Sequence, residues 1–258
     1  MFAVRTPGPA LSSHVETLWY YDGYRKTSHR ERVLPNTRFQ IIFDLTVGPG
    51  AVVGPRSQYL ELDTAPIQTV MGIVFRPGGA LAFLEHPAEE FANQVVPLDS
   101  LWSRLARELH ARLQEKRTTN SRFAVLERSL LDMLSRRCPR RHDVHPAVRY
   151  ALNELSGGPT VRRIRELTKD IGLSSRRFSQ LFREQVGFTP KTYCRLLRFE
   201  DVVRRVAIGL HVDWADVALA GGYYDQAHLT HEFRAFSGLS PGAYLAAARP
   251  FDDHVLAP

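Results

Sequence analysis

The sequence predicts an α+β chain: a small N-terminal β-barrel followed by helices, then an all-α C-terminal half in which two helix-turn-helix units are joined by a long helix. Three observations carry the prediction. Residues 14–76 alternate apolar runs with Gly/Pro turns at roughly ten-residue spacing, the grammar of short strands in a barrel or sandwich. Residues 98–137 change to apolar stripes at helical period. Finally, FREQVGFTPKTY at 182–193 recurs as FRAFSGLSPGAY at 233–244, so Phe182, Arg183, Gly187, Pro190 and Tyr193 reappear 51 residues later as Phe233, Arg234, Gly238, Pro241 and Tyr244. That is one structural unit used twice.

Length and charge divide the chain further. At 258 residues it can hold two medium domains, and its net charge of +7 is uneven. Residues 1–100 carry 8 Lys/Arg against 10 Asp/Glu, residues 101–144 carry 11 against 5, and residues 145–258 carry 15 against 12. Only the later part is thus expected to meet a polyanion. The two cysteines, Cys138 and Cys194, have no ligand-like spacing, which argues against a disulfide framework or a zinc site. The first residues contain no apolar signal core and no run approaches the roughly 20 residues of a membrane span, so a cytoplasmic protein is expected.

In the N-terminal part, taken as 1–97, Arg38–Asp44 is the clearest strand, with Phe39, Ile41 and Phe43 on one face and Gln40, Ile42 and Asp44 on the other. Pro77-Gly78-Gly79 breaks the last strand and serves either a plain turn or close approach to a ligand. Glu85 and His86 qualify for metal or acid-base work only by residue type, with no partner at ligand spacing. A helix over 98–115 places Leu98, Leu101, Trp102, Leu105, Leu109 and Leu113 in a stripe, and a second over 121–137 aligns Phe123, Leu126, Leu130, Leu131 and Leu134. These helices, assigned to a segment 98–138, either pack on the barrel or mediate dimerisation. The basic, proline-broken run Arg136–Asp143 marks a linker, drawn at 139–144.

The C-terminal domain is drawn at 145–250, with a tail at 251–258. A helix from Pro146 to Ser156 ends at Gly157-Gly158-Pro159, and Thr160 caps a helix burying Val161, Ile164, Leu167 and Ile171. Gly172-Leu173 turns and Ser174 caps a helix from Ser175 to Val186 that buries Phe178, Leu181 and Phe182. Arg176, Arg177, Ser179, Gln180 and Arg183 are left outward. Guanidinium groups suit guanine or phosphate and an amide suits adenine, so Arg176 and Gln180 are the preferred base readers and Arg183 a phosphate contact. A long helix from Pro190 to about Ala207 connects to the second unit. There Asp213 caps one helix, Gly221-Gly222 turns, and Asp225 caps the last reading helix, which buries Leu229, Phe233 and Phe236. Gln226, His228, Thr230, His231 and Arg234 remain for DNA or water, and the second turn is one residue longer than the first. His228 and His231 lie three apart but lack a third metal ligand.

These residues resemble the DNA-binding domain of the AraC/XylS transcription regulators. The likeness rests on the paired turns and on the two closing elements, Gly187-Phe188-Thr189-Pro190-Lys191-Thr192-Tyr193 and Gly238-Leu239-Ser240-Pro241-Gly242-Ala243-Tyr244. It implies base-reading positions at Arg176, Ser179 and Gln180 and at Gln226, Thr230 and His231, with Tyr223 as the aromatic after the turn glycine. The N-terminal half is similar to sensor domains of one AraC-type subgroup through VLPNTRFQIIFDL, VVGPRSQ and GIVFRPGGALAFL, which implies a cupin-like barrel. The expectation is a sequence-specific transcription regulator, with activator and repressor both left open. Its partners would be double-stranded promoter DNA, RNA polymerase and an unknown small-molecule effector, with a possible homodimer and no membrane. No cofactor, metal or catalytic residue is expected. An enzyme with a nucleophilic cysteine is disfavoured because neither cysteine sits beside a base. The alternative is a constitutive binder whose N-terminal domain only dimerises.

Overall fold

Period-two alternation in the N-terminal half produces an antiparallel sheet, seen in a computed structural model that describes residues 1–23, 30–63, 69–136, 143–156, 164–208, 212–247 and 254–256. Its strands in chain order are β1 (Phe2–Arg5), β2 (Val15–Asp22), β3 (Arg30–Val33), β4 (Gln40–Asp44), β5 (Gly48–Val53), β6 (Leu60–Asp63), β7 (Thr69–Phe75) and β8 (Val95–Pro97). Six of them pair in the order β1-β2-β7-β4-β5-β8. As expected, Phe39, Ile41 and Phe43 are buried while Gln40, Ile42 and Asp44 are half-buried. The α+β class holds, and the sheet is open, with β1 and β8 as its edges among the described residues. β3 and β6 leave this sheet and form a second one. Its third strand, β9 (His254–Leu256), comes from the far end of the chain.

Two helices cover the larger sheet. α1 (Leu98–Gln114) buries Leu98, Trp102, Ala106, Leu109 and Leu113. Four of the six expected stripe residues are thus buried, Leu101 and Leu105 are half-buried against the same core, and the helix kinks at Ser103, whose φ is 40°. Trp102 Nε1 donates to the Phe83 carbonyl at 3.2 Å and Gln114 Nε2 to the Leu45 carbonyl at 3.1 Å, which pins the helix to the turn after β7 and to the end of β4. α2 (Thr119–Ser135) is capped by Thr118, whose side chain accepts from Ser121 N, and buries Phe123, Val125, Leu126 and Leu130. Both helices therefore bury most of their apolar stripes within this chain. Leu131, expected on the packed face, is 38% exposed.

The C-terminal half follows as α3 (Pro146–Ser156), α4 (Ile164–Ile171), α5 (Ser175–Val186), α6 (Pro190–Ile208), α7 (Trp214–Ala220), α8 (Gln226–Ser237) and α9 (Pro241–Ala246). Two hydrophobic clusters meet along α6. Tyr193 and Cys194, from its first turns, join Val148, Leu152, Phe178 and Phe182 in one. Leu196, Phe199, Val202, Val203 and Val206 join Leu229, Phe233, Phe236 and Tyr244 in the other. The second cluster also takes in Leu34 from the N-terminal half and Val255 of β9. Most of the basic linker, Cys138, the Gly157-Gly158-Pro159 break, the Thr160 cap and Val161 lie outside the described residues, as does the side chain of Ile164.

Candidate nucleic-acid interface

Each unit is built by local rules. In the first, Gly172 takes φ 70° to end α4, and Ser174 starts α5 by accepting from Arg177 N at 3.3 Å. Phe178 and Phe182 then stack edge-on at 5.7 Å, and Phe182 meets Tyr193 at 5.4 Å, which fixes the rotation of α5 about its axis. In the second, Asp213 caps α7 by accepting from Ala215 N and Asp216 N, and Asp225 caps α8 by accepting from His228 N at 2.7 Å. Between the turn glycine and the cap lie Tyr223 and Tyr224 here but only Leu173 in the first unit, so the second turn is longer by one residue as expected. Tyr223 is the buried plug and Tyr224 is 91% exposed.

The outward residues are those the helical period marked. Arg176, Arg177, Gln180 and Arg183 are exposed on α5 and Ser179 is half-buried; Gln226, His231 and Arg234 are exposed on α8, and His228 and Thr230 are half-buried. Neither helix carries an acidic residue in its first turn. On α5, capped by Ser174, the positive end of the helix dipole is left unneutralised, which favours an approaching phosphate, whereas on α8 the Asp225 carboxylate offsets it. Arg176, Arg177 and Arg234 make no ion pair among the described residues.

Three candidates are already engaged. Gln180 Nε2 donates one N–H to Glu184 Oε1 at 2.8 Å, which leaves its second N–H and Oε1 for a base edge. His228 accepts from Tyr224 N at 3.3 Å, stacks edge-on against Tyr223 at 5.3 Å and lies 4.0 Å from Glu232, which makes it a brace of the turn. Arg183 Nε lies 2.5 Å from Glu89 Oε2, in the 3-10 turn Ala88–Phe91 of the N-terminal half.

Glu232 escaped sequence reasoning. It is buried on α8, takes Arg195 Nε at 2.6 Å and has Arg198 at 3.7 Å, while Arg198 also donates to the Gly222 carbonyl at 3.2 Å. The network ties α6, α8 and the second turn together. Burial, followed by the nearby Glu232 carboxylate, pushes the Tyr223 phenol well above its ordinary value. The available signal was spacing: Glu232 falls on the arc between Leu229 and Phe236, opposite arginines three apart on α6.

The N-terminal half touches both units at their closing glycines. Gly187, with φ 99°, packs so closely that a Cβ there would lie 2.7 Å from Pro55 Cγ; one on Gly238 would lie 2.7 Å from the Tyr59 ring. Arg32 lies 4.1 Å over Tyr59 and donates to the Ser237 carbonyl at 3.3 Å, at the end of α8. Between these contacts, Glu200 of α6 accepts from Thr37 N at 2.5 Å. Burial raises the pKa of Glu200, opposed in turn by Arg38, by the bonds from Thr37 and by Arg204. The segments VLPNT and VVGPRS thus face the helical half. Gly79 packs against the His14 carbonyl, where a Cβ would be 2.1 Å away, so close backbone approach within the domain requires this glycine.

Cys194 is buried, and desolvation pushes its thiol up to about 11, unlike a nucleophile. No group of three metal-capable side chains occurs among the described residues, and His86 pairs instead with Glu90 at 3.2 Å. No helix of the described residues is long and apolar enough to cross a membrane.

Residues 167–247 match a family described as a helix-turn-helix domain, and residues 4–97 match a domain of unknown function, DUF6597. No curated protein matches the chain. Among solved structures, ToxT from Vibrio cholerae is similar at 8% identity and TM-score 0.45, over 95% of this chain and 98% of that one. A fatty-acid-bound form of ToxT is similar at 8% identity and TM-score 0.41, over 95% and 94%. The AraC-like transcriptional activator CuxR is similar at 16% identity and TM-score 0.22, over 77% and 85%.

Proposed function

We propose that the chain, whose residues 167–247 match a helix-turn-helix family, is a DNA-binding transcription regulator of the AraC/XylS type in which α5 and α8 read two successive major-groove segments of one site. The observation that carries this is the pair of capped helices whose outward N-terminal faces are exposed and polar, held on one shared helix. α6 has 19 residues, a span of about 28 Å at 1.5 Å per residue, comparable with the ~34 Å repeat of the groove. Arg176, Ser179 and Gln180 on α5, and Gln226, Thr230 and His231 on α8, are assigned to bases. Arg177, Arg183 and Arg234 are assigned to phosphates, and His228 holds the second turn beside the DNA. The same reading makes RNA polymerase the protein partner at a promoter.

The N-terminal domain is the route by which a small-molecule effector would act, because it abuts the ends of both reading helices. A second reading, a constitutive regulator with an unresponsive N-terminal domain that acts as a dimerisation unit, is favoured by one observation. The inner face of the sheet is filled by Phe39, Ile41, Phe43, Met71, Ile73 and Phe75, all buried. Selection of bound sites from random DNA tests the first reading. The full chain should recover one asymmetric site, and Arg176→Ala and Gln180→Ala should relax it at positions under the first head, by about 1–3 kcal/mol per lost bidentate contact. Unchanged specificity in both variants refutes the base assignment.

A further inference from the structure

Arg183 and Arg234 occupy equivalent places in the two repeats, but their surroundings differ. Arg234 is exposed and makes no ion pair among the described residues. Arg183 is held by Glu89 of the N-terminal domain at 2.5 Å. The contact is not a chance meeting of two mobile side chains. Pro55 and the Ala88 carbonyl pack on Gly187, at the C-terminal end of α5, so the backbone that carries Glu89 is fixed beside the helix. At the second unit the same domain presents a cation, Arg32, to the Ser237 carbonyl.

We propose that Glu89 is an internal stand-in for a DNA phosphate: it occupies Arg183 of the first reading helix and withholds it from the sugar-phosphate backbone until the two domains shift. The inference rests on α5 being a DNA-reading helix. A carboxylate presents two acceptor oxygens to a guanidinium much as a phosphate does, so the two compete for the same donors. The pair is partly solvated, with side chains 51% and 33% exposed. Its strength is therefore that of a surface ion pair, enough to lower affinity severalfold. The brake acts on one head alone, because the other head faces an arginine.

The test is DNA binding by the full chain, measured against salt on its selected site and on unrelated DNA. Glu89→Gln should tighten binding to both by roughly two- to fivefold, the worth of an exposed pair. It should also steepen the dependence of log K on log salt by about 0.9, one more phosphate contact. Glu90→Gln removes the same charge from the neighbouring residue, which pairs with His86 and not with Arg183, and should leave the slope unchanged. In the Glu89→Gln background, Arg183→Gln should erase both gains. The proposal is overturned if Glu89→Gln leaves the slope at the parental value, if Glu90→Gln reproduces the gain, or if the double variant keeps it. If the parent chain itself shows no preference for its selected site over unrelated DNA, the reading of α5 and α8 fails instead.

Discussion

A single methyl group added at Gly187 should report how firmly the two domains are docked. Gly187→Ala forces an L-residue to φ 99°, where its Cβ would sit 2.7 Å from Pro55 Cγ and 3.4 Å from the Ala88 carbonyl. Gly172→Ala is the matched control, with φ 70° and nothing within 4 Å of the new Cβ. Left-handed backbone costs an L-residue about 1–2 kcal/mol, and that is the whole expected effect at Gly172. At Gly187 the contact with Pro55 must also be relieved by a backbone shift, and overpacking of this kind costs roughly another 1–3 kcal/mol. Urea unfolding of the full chain measures both. Pro55→Ala removes Cγ and Cδ, so it should rescue Gly187→Ala and leave Gly172→Ala unaffected, a coupling of about 1 kcal/mol or more in a double-mutant cycle. Equal losses for the two glycine variants, or no coupling to Pro55, refute the docking of the α5 end on the N-terminal domain.

Two further outcomes are expected. The raised pKa of Glu200 means that the folded chain holds this proton more tightly than the unfolded chain, so its contribution is most favourable below the ordinary glutamate value and is lost as pH rises through the raised one. Melting temperatures from acid to neutral pH should therefore fall for the parent relative to Glu200→Gln, and a difference constant with pH contradicts the assignment. Glu232→Ala strands Arg195 and Arg198 beside a buried hole and should destabilise the chain by about 2–4 kcal/mol, discounted from a fully buried pair because both arginines are partly exposed. A loss under about 0.5 kcal/mol in chemical denaturation would show that the network does not brace the second unit.

The helical half was legible because its signals are local. Ser174, the Phe178/Phe182 spacing and Gly187 fixed α5 at Ser175–Val186 from twelve consecutive residues and their flanks. The kink at Ser103 has no such marker, although Leu98, Trp102, Leu109 and Leu113 of the expected stripe are buried. Glu232 was missed because a carboxylate reads as surface, and only its meeting with two arginines of another helix makes its burial tolerable. β9 is three residues in an apparent tail, a pairing supplied entirely by β3. Glu89 gave no hint of Arg183, since an ion pair between segments so distant in sequence has no periodic signature.

The same distinction explains why the N-terminal motifs resisted interpretation. LPNT and GPRS read as turns, and in isolation they are turns, joined by the Asn36–Arg56 bridge. Their chemistry is directed at the helical domain: Leu34 enters the second hydrophobic cluster, Thr37 N meets Glu200, and Pro55 bears on Gly187. Three contacts at the end of α5, the middle of α6 and the end of α8 constrain both heads, so the connector is not the sole determinant of their separation. A change that loosens the N-terminal domain would act unevenly. It would release a cation, Arg183, at the first head, while at the second it would remove an arginine from a helix C-terminus, where a positive charge is stabilising. The first head would gain affinity for backbone phosphates as the second lost support, and the balance between the two half-sites would shift with the state of the N-terminal domain.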